Sequence, residues 1–383
     1  MASTVALVRC ETYDEDAVHA AVGRGLDLLG GAGRFVSPDE RVLLKPNLLV
    51  GSSPTASVTT HPAVFAAVAR HLAAAGADLS YGDSPAVGRP EGAARRSGLA
   101  EVADRLGIPF ADFSNGREVS APEGRVVKRW LLAEGVLAAD GVVSLPKMKT
   151  HALTRMTGAV KNQFGCIPGV SKAEFHARMP DIRRFAQMLV DLCAAIGPRL
   201  YVMDGIVAME GNGPRGGDPR PVGVVLLSDD PVALDATACR LMGLDPALVE
   251  TVTLGQESGL GVWDEVTVLG DPLEESVAEE FVANRRRGST TGPANGTAAW
   301  LARTFVVPRP FIVASRCTSC GTCVRACPVD PKAVDWAQDG DGRRSQPPVH
   351  DYQRCIRCYC CQEMCPERAI EVSVPLLGRI IHR

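Results

Sequence analysis

Along the first 270 residues, short runs of β-branched residues alternate with longer stretches in which apolar positions recur every three or four residues. That alternation predicts an α/β fold, a mostly parallel sheet with flanking helices. Val5–Val8 reads as the first strand. Asp14–Leu29 follows as a helix, with Ala17, Val18, Ala21, Val22, Leu26 and Leu29 at helical spacing and acidic residues at its positive start. Val42–Leu44 is the next strand, an Ala-rich helix opens at His61-Pro62 and stops at Gly76, and Leu79–Tyr81 is the third strand. A helix over Ala93–Leu106, strands over Val126–Leu132 and Gly141–Leu145, a helix from Pro180 to Ile196 and a strand over Leu200–Met203 continue the pattern. After a long loop, Val222–Leu227 is a strand. Ser228-Asp229-Asp230-Pro231 then sets cap residues ahead of a proline at the first helical position, and that helix runs through Leu241. Val266–Leu269 closes the region.

The pattern breaks near Asn284. From there to Thr297 the chain is rich in Arg, Gly, Ser and Thr, as a linker should be, and Arg285-Arg286-Arg287 reads as its solvated start. The predicted division is an α/β domain over 1–283, a linker over 284–299 and a small α+β domain over 300–383. The stretch Trp300–Val313, broken by Pro308 and Pro310, should pack the second domain onto the first. The amphipathic tail from Leu376 to Arg383 reads as docked on its own protein rather than on a membrane surface.

Composition changes this picture little. The chain is 46% hydrophobic and 22% charged with a net charge of −3, which gives no basic stripe for nucleic acid. No run reaches the length of a membrane span, and Met1–Cys10 lacks the blocks of a signal peptide. Cysteines gathered in runs rather than scattered as pairs fit a reducing interior, so a cytoplasmic location is expected.

Nine of the 13 cysteines lie between Arg316 and Pro366. Cys317-x2-Cys320-x2-Cys323-x3-Cys327-Pro328 is repeated register for register by Cys355-x2-Cys358-x2-Cys361-x3-Cys365-Pro366. This spacing resembles that of bacterial bicluster ferredoxins, in which the fourth cysteine of each run ligates the other cluster. The resemblance implies two [4Fe-4S] clusters with crossed ligands. One set is Cys317, Cys320, Cys323 and Cys365; the other is Cys355, Cys358, Cys361 and Cys327. Paired Cys-x2-Cys units also make zinc sites, but zinc needs only four ligands and no second Cys-x2-Cys in each run. Cys360 fits neither register. Between the runs, Gln338-Asp339-Gly340-Asp341-Gly342 reads as an exposed loop or hairpin, either neutral or part of a partner surface.

In open α/β sheets ligands collect at the carboxyl ends of the strands. Lys45 and Asn47, Asp83 and Ser84, Lys147, Lys149 and His151, and Asp204 with Glu210 all follow predicted strands, with Lys161 and Asn162 in the next loop. Lysines so grouped bind carboxylates or phosphates and can donate a proton; singly, each could equally be solvated. Lys147, Lys149 and His151 are the catalytic candidates, and the others are candidates for holding a small anionic substrate. Gly211-x-Gly213-x-x-Gly216 matches the dinucleotide fingerprint formally, but it does not follow its strand directly, and Pro214, Pro219 and Pro221 forbid the helix it needs. It reads instead as a flexible loop covering a ligand. Cys166 is a buried thiol, a nucleophile or an extra ligand, and Cys10, Cys193 and Cys239 read as core.

Together, Lys45-Pro46-Asn47, Gly82-Asp83-Ser84, Leu145 to His151, Lys161-Asn162, Asp204-Gly205 and Asp230-Pro231-Val232-Ala233-Leu234-Asp235 resemble in order the blocks of domain-of-unknown-function family 362. Many of its members are similar in carrying a bicluster ferredoxin segment at the carboxyl end. The resemblance implies the cofactor and the order of blocks, not a reaction. Three functions stay open: a reductase fed by an electron-donor protein, an electron-transfer or adaptor protein serving or accepting from another enzyme, and a cluster carrier or redox sensor.

Overall fold

The computed structural model describes residues 3–169, 171–287, 301, 302, 304–337 and 346–381. The strands of the first domain are β1 (Ser3–Arg9), β2 (Arg41–Pro46), β3 (Asp78–Tyr81), β4 (Gly116–Ser120), β5 (Arg129–Ala133), β6 (Gly141–Leu145), β7 (Lys147–His151), β8 (Arg155–Thr157), β9 (Leu200–Glu210), β10 (Asp218–Ser228) and β11 (Val266–Gly270). The main sheet runs β11-β1-β10-β9-β6-β2-β3, with β7 and β8 continuing from β9. Neighbours are parallel at β11–β1, β9–β6, β6–β2, β2–β3 and β7–β9; β10 alone among the seven runs against both its neighbours. The sheet is mostly parallel, as the sequence predicts.

Helices cover both faces. On one, Glu15–Leu28 and Pro62–Ala74 bury Val18, Val22, Leu26, Val64, Val68 and Leu72 against Ala6, Val8, Leu44 and Val143. On the other, Ile182–Ile196, Pro231–Leu241 and Glu250–Glu257 pack on Val5, Leu7, Met203, Val224 and Leu226. Asp230 caps the second of these by accepting from Val232 N and Ala233 N, with Pro231 at the first helical position.

Four expectations need correction. The Ala93–Leu106 helix is two, Pro90–Arg96 and Leu99–Leu106, because Gly98 between them adopts φ +74°. The Val126–Leu132 strand is the shorter β5, paired only with β4 in a separate hairpin. Lys147–His151 is no loop but a fully buried strand. The long loop before Val222 is mostly the β9–β10 ladder, and Pro219 and Pro221 are tolerated because β1 pairs β10 only over 224–227, leaving the proline edge open.

The carboxyl module has two ladders, β12 (Arg309–Ile312) with β15 (Ile370–Ser373) and β13 (Val334–Asp335) with β14 (Val349–His350), and two short helices, Thr322–Ala326 and Cys360–Met364, which pack together. The 338–342 insertion and most of the proposed linker lie outside the described residues. Arg285, at the linker's start, is exposed but not merely solvated: it donates to Gly243 O (2.7 Å) and Met242 O (3.0 Å), carbonyls at the end of the Pro231–Leu241 helix.

Candidate functional site

The two cysteine runs fold alike. Ser319 and Gly321 in the first and Arg357 and Tyr359 in the second all have left-handed φ, at matching positions between the thiols. A left-handed non-glycine residue costs about 1–2 kcal/mol, so three of them mark a turn held for its geometry. Each run then enters its short helix. Cys317, Cys320, Cys323 and Cys365 line one cavity, and Cys327, Cys355, Cys358 and Cys361 line another. Apolar side chains such as Ile312, Ile370, Val334 and Ile356 complete the walls. Among the described residues no three His, Cys, Asp or Glu side chains close tightly around one point. Four thiols spread around a cavity are the donor set that an iron–sulfur cube takes. Ala333 N donates to Cys327 Sγ (3.4 Å) and Ala369 N to Cys365 Sγ (3.3 Å), the kind of sulfur hydrogen bond that tunes a cluster. Cys320 is exposed, whereas Cys355 and Cys361 are buried.

The carboxyl ends of the strands do gather polar groups, but not as an open rim. Lys45, Lys147 and Lys149 are at most 1% exposed, and each is engaged internally. Lys45 Nζ pairs with Asp83 Oδ1 (2.8 Å) and donates to Asn162 Oδ1 (3.2 Å), which also accepts from Asn47 Nδ2 (3.2 Å). Asn47 Oδ1 accepts from Lys149 Nζ (2.6 Å), which donates as well to Val58 O (2.7 Å). Gly165 must lack a side chain here, since a Cβ would stand 1.8 Å from Asp83 Oδ1. Asn162 lies on the short helix Ala159–Asn162 rather than in a loop, and that helix's first amides are held by Asp235, whose Oδ1 accepts from Ala159 N (2.6 Å). Ser84 Oγ accepts from buried Lys172 (2.7 Å).

A second network surrounds Asp204. Its carboxylate accepts from Lys147 Nζ (2.7 Å), Tyr13 OH (2.8 Å) and His61 N (2.9 Å), and the Tyr13 and His61 rings stack at 3.6 Å. Burial lowers the Lys147 pKa against the pull of Asp204, and that of Lys149 still further because Lys161 and Lys147 are near. Glu210 is drawn away from both networks: its Oε2 accepts from Val282 N (2.9 Å) and its Oε1 faces Arg220.

The third cluster of polar groups spans the two domains. His151 Nδ1 accepts from Leu153 N (3.0 Å), which leaves the proton on Nε2, the atom that faces Glu363 Oε1 at 2.9 Å. Glu363 belongs to the Cys360–Met364 helix, between Cys361 and Cys365. Lys161 and His176 complete the group. His176 is buried against Phe185 with no hydrogen-bond partner at Nδ1. Burial pushes the pKa of His151 and of His176 down to about 4, so both are neutral at pH 7. Burial alone would raise Glu363, but His151 and Lys161 hold its carboxyl down at about 2. Lys161 is lowered by burial, with Glu363 and Cys360 opposing.

The same helix docks the module. Gln362 Nε2 donates to Asn212 O (2.8 Å) and Oδ1 (2.9 Å), Arg215 donates to Met364 O (2.8 Å), and Met364 packs with Val50, Val58 and Met209. The loop Gly211–Gly216 is therefore not a flexible ligand cover. It is the clasp between the domains, and it lies on β7 so closely that a Cβ at Gly213 would stand 2.2 Å from Thr150 O.

Sequence reasoning missed Tyr13, His61, Lys172, His176 and Glu363. Glu363 was hidden inside the cysteine spacing, and the others sit in helical or loop patterns without a motif. Cys166 is fully buried, its thiol pushed up to about 12 by burial, which suits a core residue.

The model of a family described as a domain of unknown function, DUF362, matches residues 42–240, and that of a 4Fe-4S dicluster domain matches residues 316–369. A thylakoid-associated protein of Synechocystis sp. is 42% identical over 261 residues, 68% of this chain and 81% of that protein. NADH-quinone oxidoreductase subunit I 2 of Symbiobacterium thermophilum is 38% identical over 53 residues, 13% of this chain and 22% of the subunit. Among solved structures, the lactate racemase apoprotein from Thermoanaerobacterium thermosaccharolyticum has a TM-score of 0.40 at 11% identity, covering 63% of this chain and 57% of its own. A Thermotoga maritima protein scores 0.36 at 12% identity, covering 61% and 60%.

Proposed function

The chain belongs to the DUF362 family and carries a ferredoxin-type module for iron–sulfur electron transfer, and we propose that it is a reductase acting on a small anion at the domain junction. The two sets of four thiols would hold two [4Fe-4S] clusters, which supply one-electron transfer when bound. A partner protein would dock beside exposed Cys320. The observation that carries the reading is the buried His151–Glu363 contact, made by a helix that also bears Cys361. Lys161 and the unpartnered Nδ1 of His176 would bind the acceptor's negative charge, and His151, whose Nε2 carries a proton in contact with Glu363, would supply a proton. Lys45, Lys147 and Lys149, with Asn47, Asn162, Asp83 and Asp204, would hold the strand ends that frame this group rather than touch the acceptor. Anaerobic protein, reduced and mixed with carboxylate, phosphate and hydrogencarbonate compounds, tests the reading: at least one should reoxidise it, and Lys161→Ala should abolish that. If none accelerates reoxidation beyond buffer, the reductase reading fails.

One observation favours a second reading. Because the three strand-end lysines are buried and internally paired, the α/β domain could serve as a rigid adaptor that presents the clusters to another enzyme. In that case Lys161→Ala would leave electron relay between two carrier proteins unchanged.

A further inference from the structure

At the end of the β12–β15 ladder away from the clasp, two short helical pieces leave the carboxyl module side by side. The Leu376–Ile381 helix lies against the turn at Ala302–Val306 so closely that a Cβ on Gly378 would stand 2.1 Å from Val306 O. Gly378 faces inward. The aliphatic side chains around it do not: Leu376 is 76% exposed, Ile380 70%, Leu377 49% and Leu301 50%. The tail is thus seated on its own protein, as the sequence suggests, yet it turns its apolar side outward. Scattered exposed aliphatics need no explanation, but four on two abutting pieces do.

The charge of the sequence on either side of them is one-sided. From Phe281 to Val329 there is no Asp or Glu but seven arginines, Arg303 and Arg309 among them, and after Glu371 the chain has Arg379, His382 and Arg383 with no acid. This occurs in a chain whose net charge is −3. Exposed aliphatic side chains in arginine-bearing stretches without acids, with exposed Arg379 on the same helix, complement a surface that is negative outside and apolar just beneath, which is the interface of an anionic bilayer. No helix among the described residues is long and apolar enough to cross a membrane.

We propose that the face formed by Leu301, Leu376, Leu377 and Ile380 is a docking surface by which the protein lies on an anionic lipid bilayer, with the aliphatics in the headgroup region and Arg379 on the phosphates. Exposed Cys320 belongs to the same module, so docking would bring the module that carries the two cysteine runs to the bilayer. The proposal does not depend on which acceptor, if any, binds at the domain junction.

Co-sedimentation of the anaerobic full-length holoprotein tests it, using vesicles of phosphatidylcholine alone and of phosphatidylcholine and phosphatidylglycerol in equal parts. Binding should be confined to the anionic vesicles, weaken with salt, and fall about tenfold or more in the double variant Leu376→Gln, Ile380→Gln. Both positions are exposed, and unchanged visible absorption will show that the variant retains its clusters. Absence of binding to anionic vesicles overturns the proposal, as does binding that the double variant leaves intact. A concentration-dependent dimer that the double variant dissociates, with no vesicle binding, would assign the face to a second copy instead.

Discussion

Glu363 offers the sharpest test of the junction. Glu363→Ala removes the carboxylate that lies 2.9 Å from His151 Nε2 and faces Lys161 and His176. An orphaned buried donor costs about 1–3 kcal/mol, and stripping one partner from a buried charge costs about 3–5 kcal/mol. Lys161 can escape part of that by releasing its proton, since burial already lowers its pKa, so about 3 kcal/mol is the reasonable size. At 1.4 kcal/mol per factor of ten, the junction should open about 100-fold more often. Glu363→Gln keeps an oxygen for His151 and loses only the charge, so it should fall between. Anaerobic hydrogen exchange on peptides spanning Lys147–His151 and Asn212–Gly217 reads the opening directly. Exchange in Glu363→Ala within about threefold of wild type at both segments would refute the reasoning. It would mean that Gln362, Arg215 and Met364 hold the module without help from charge.

Other expectations follow from single contacts. Cys358→Ser and Cys327→Ser should each lower iron from about eight to about four per chain and perturb the same cluster signal in paramagnetic resonance, whereas Cys360→Ser should leave about eight; identical iron loss in all three would sink the crossed assignment. His151 and His176, pushed to about 4 by burial, are neutral when folded but protonated when unfolded below about 6.5. Their folded pKa values are depressed, so stability is lost as pH falls from about 6.5 to 4, by up to about 3 kcal/mol per histidine. His176→Phe should flatten that slope in anaerobic thermal melts, and an unchanged slope would count against it. Gly165→Ala would drive a methyl into Asp83 and Lys45; a loss of about 1–3 kcal/mol is expected, and melts that match wild type would show that the pair can shift aside. Asp204→Ala should cost about 3–5 kcal/mol by leaving Lys147 buried without its partner, and a smaller loss in chemical denaturation would show the lysine to be neutral.

Several features could be read in the sequence because one local rule fixes them. Cysteine spacing is dictated by the turn that brings sulfurs together, and Ser228 to Pro231 is a cap that works in any surroundings. β7 was harder. Lys-Met-Lys-Thr-His looks like a loop by composition, yet Lys147, Lys149 and His151 stand at every second position while Met148 points into the core. That period of two was the available signal, outweighed by the rule that lysines stay in water. The lysines can be buried because Asp204, Asn47 and Val58 come to them from 57, 102 and 91 residues away, a supply of partners that no local window contains. Asn212 misled for the opposite reason: a glycine-rich stretch that is flexible alone is fixed once Gln362 meets it.

The Cys360–Met364 helix has five residues and two jobs. One of its thiols lines a cavity, while Gln362, Glu363 and Met364 grip the other domain. A turn this short has almost no stability of its own. Synthesised in iron starvation, the polypeptide would lack the anchor that shapes this turn, and its two halves would come apart. Metal supply would then decide whether the larger half ever meets its companion.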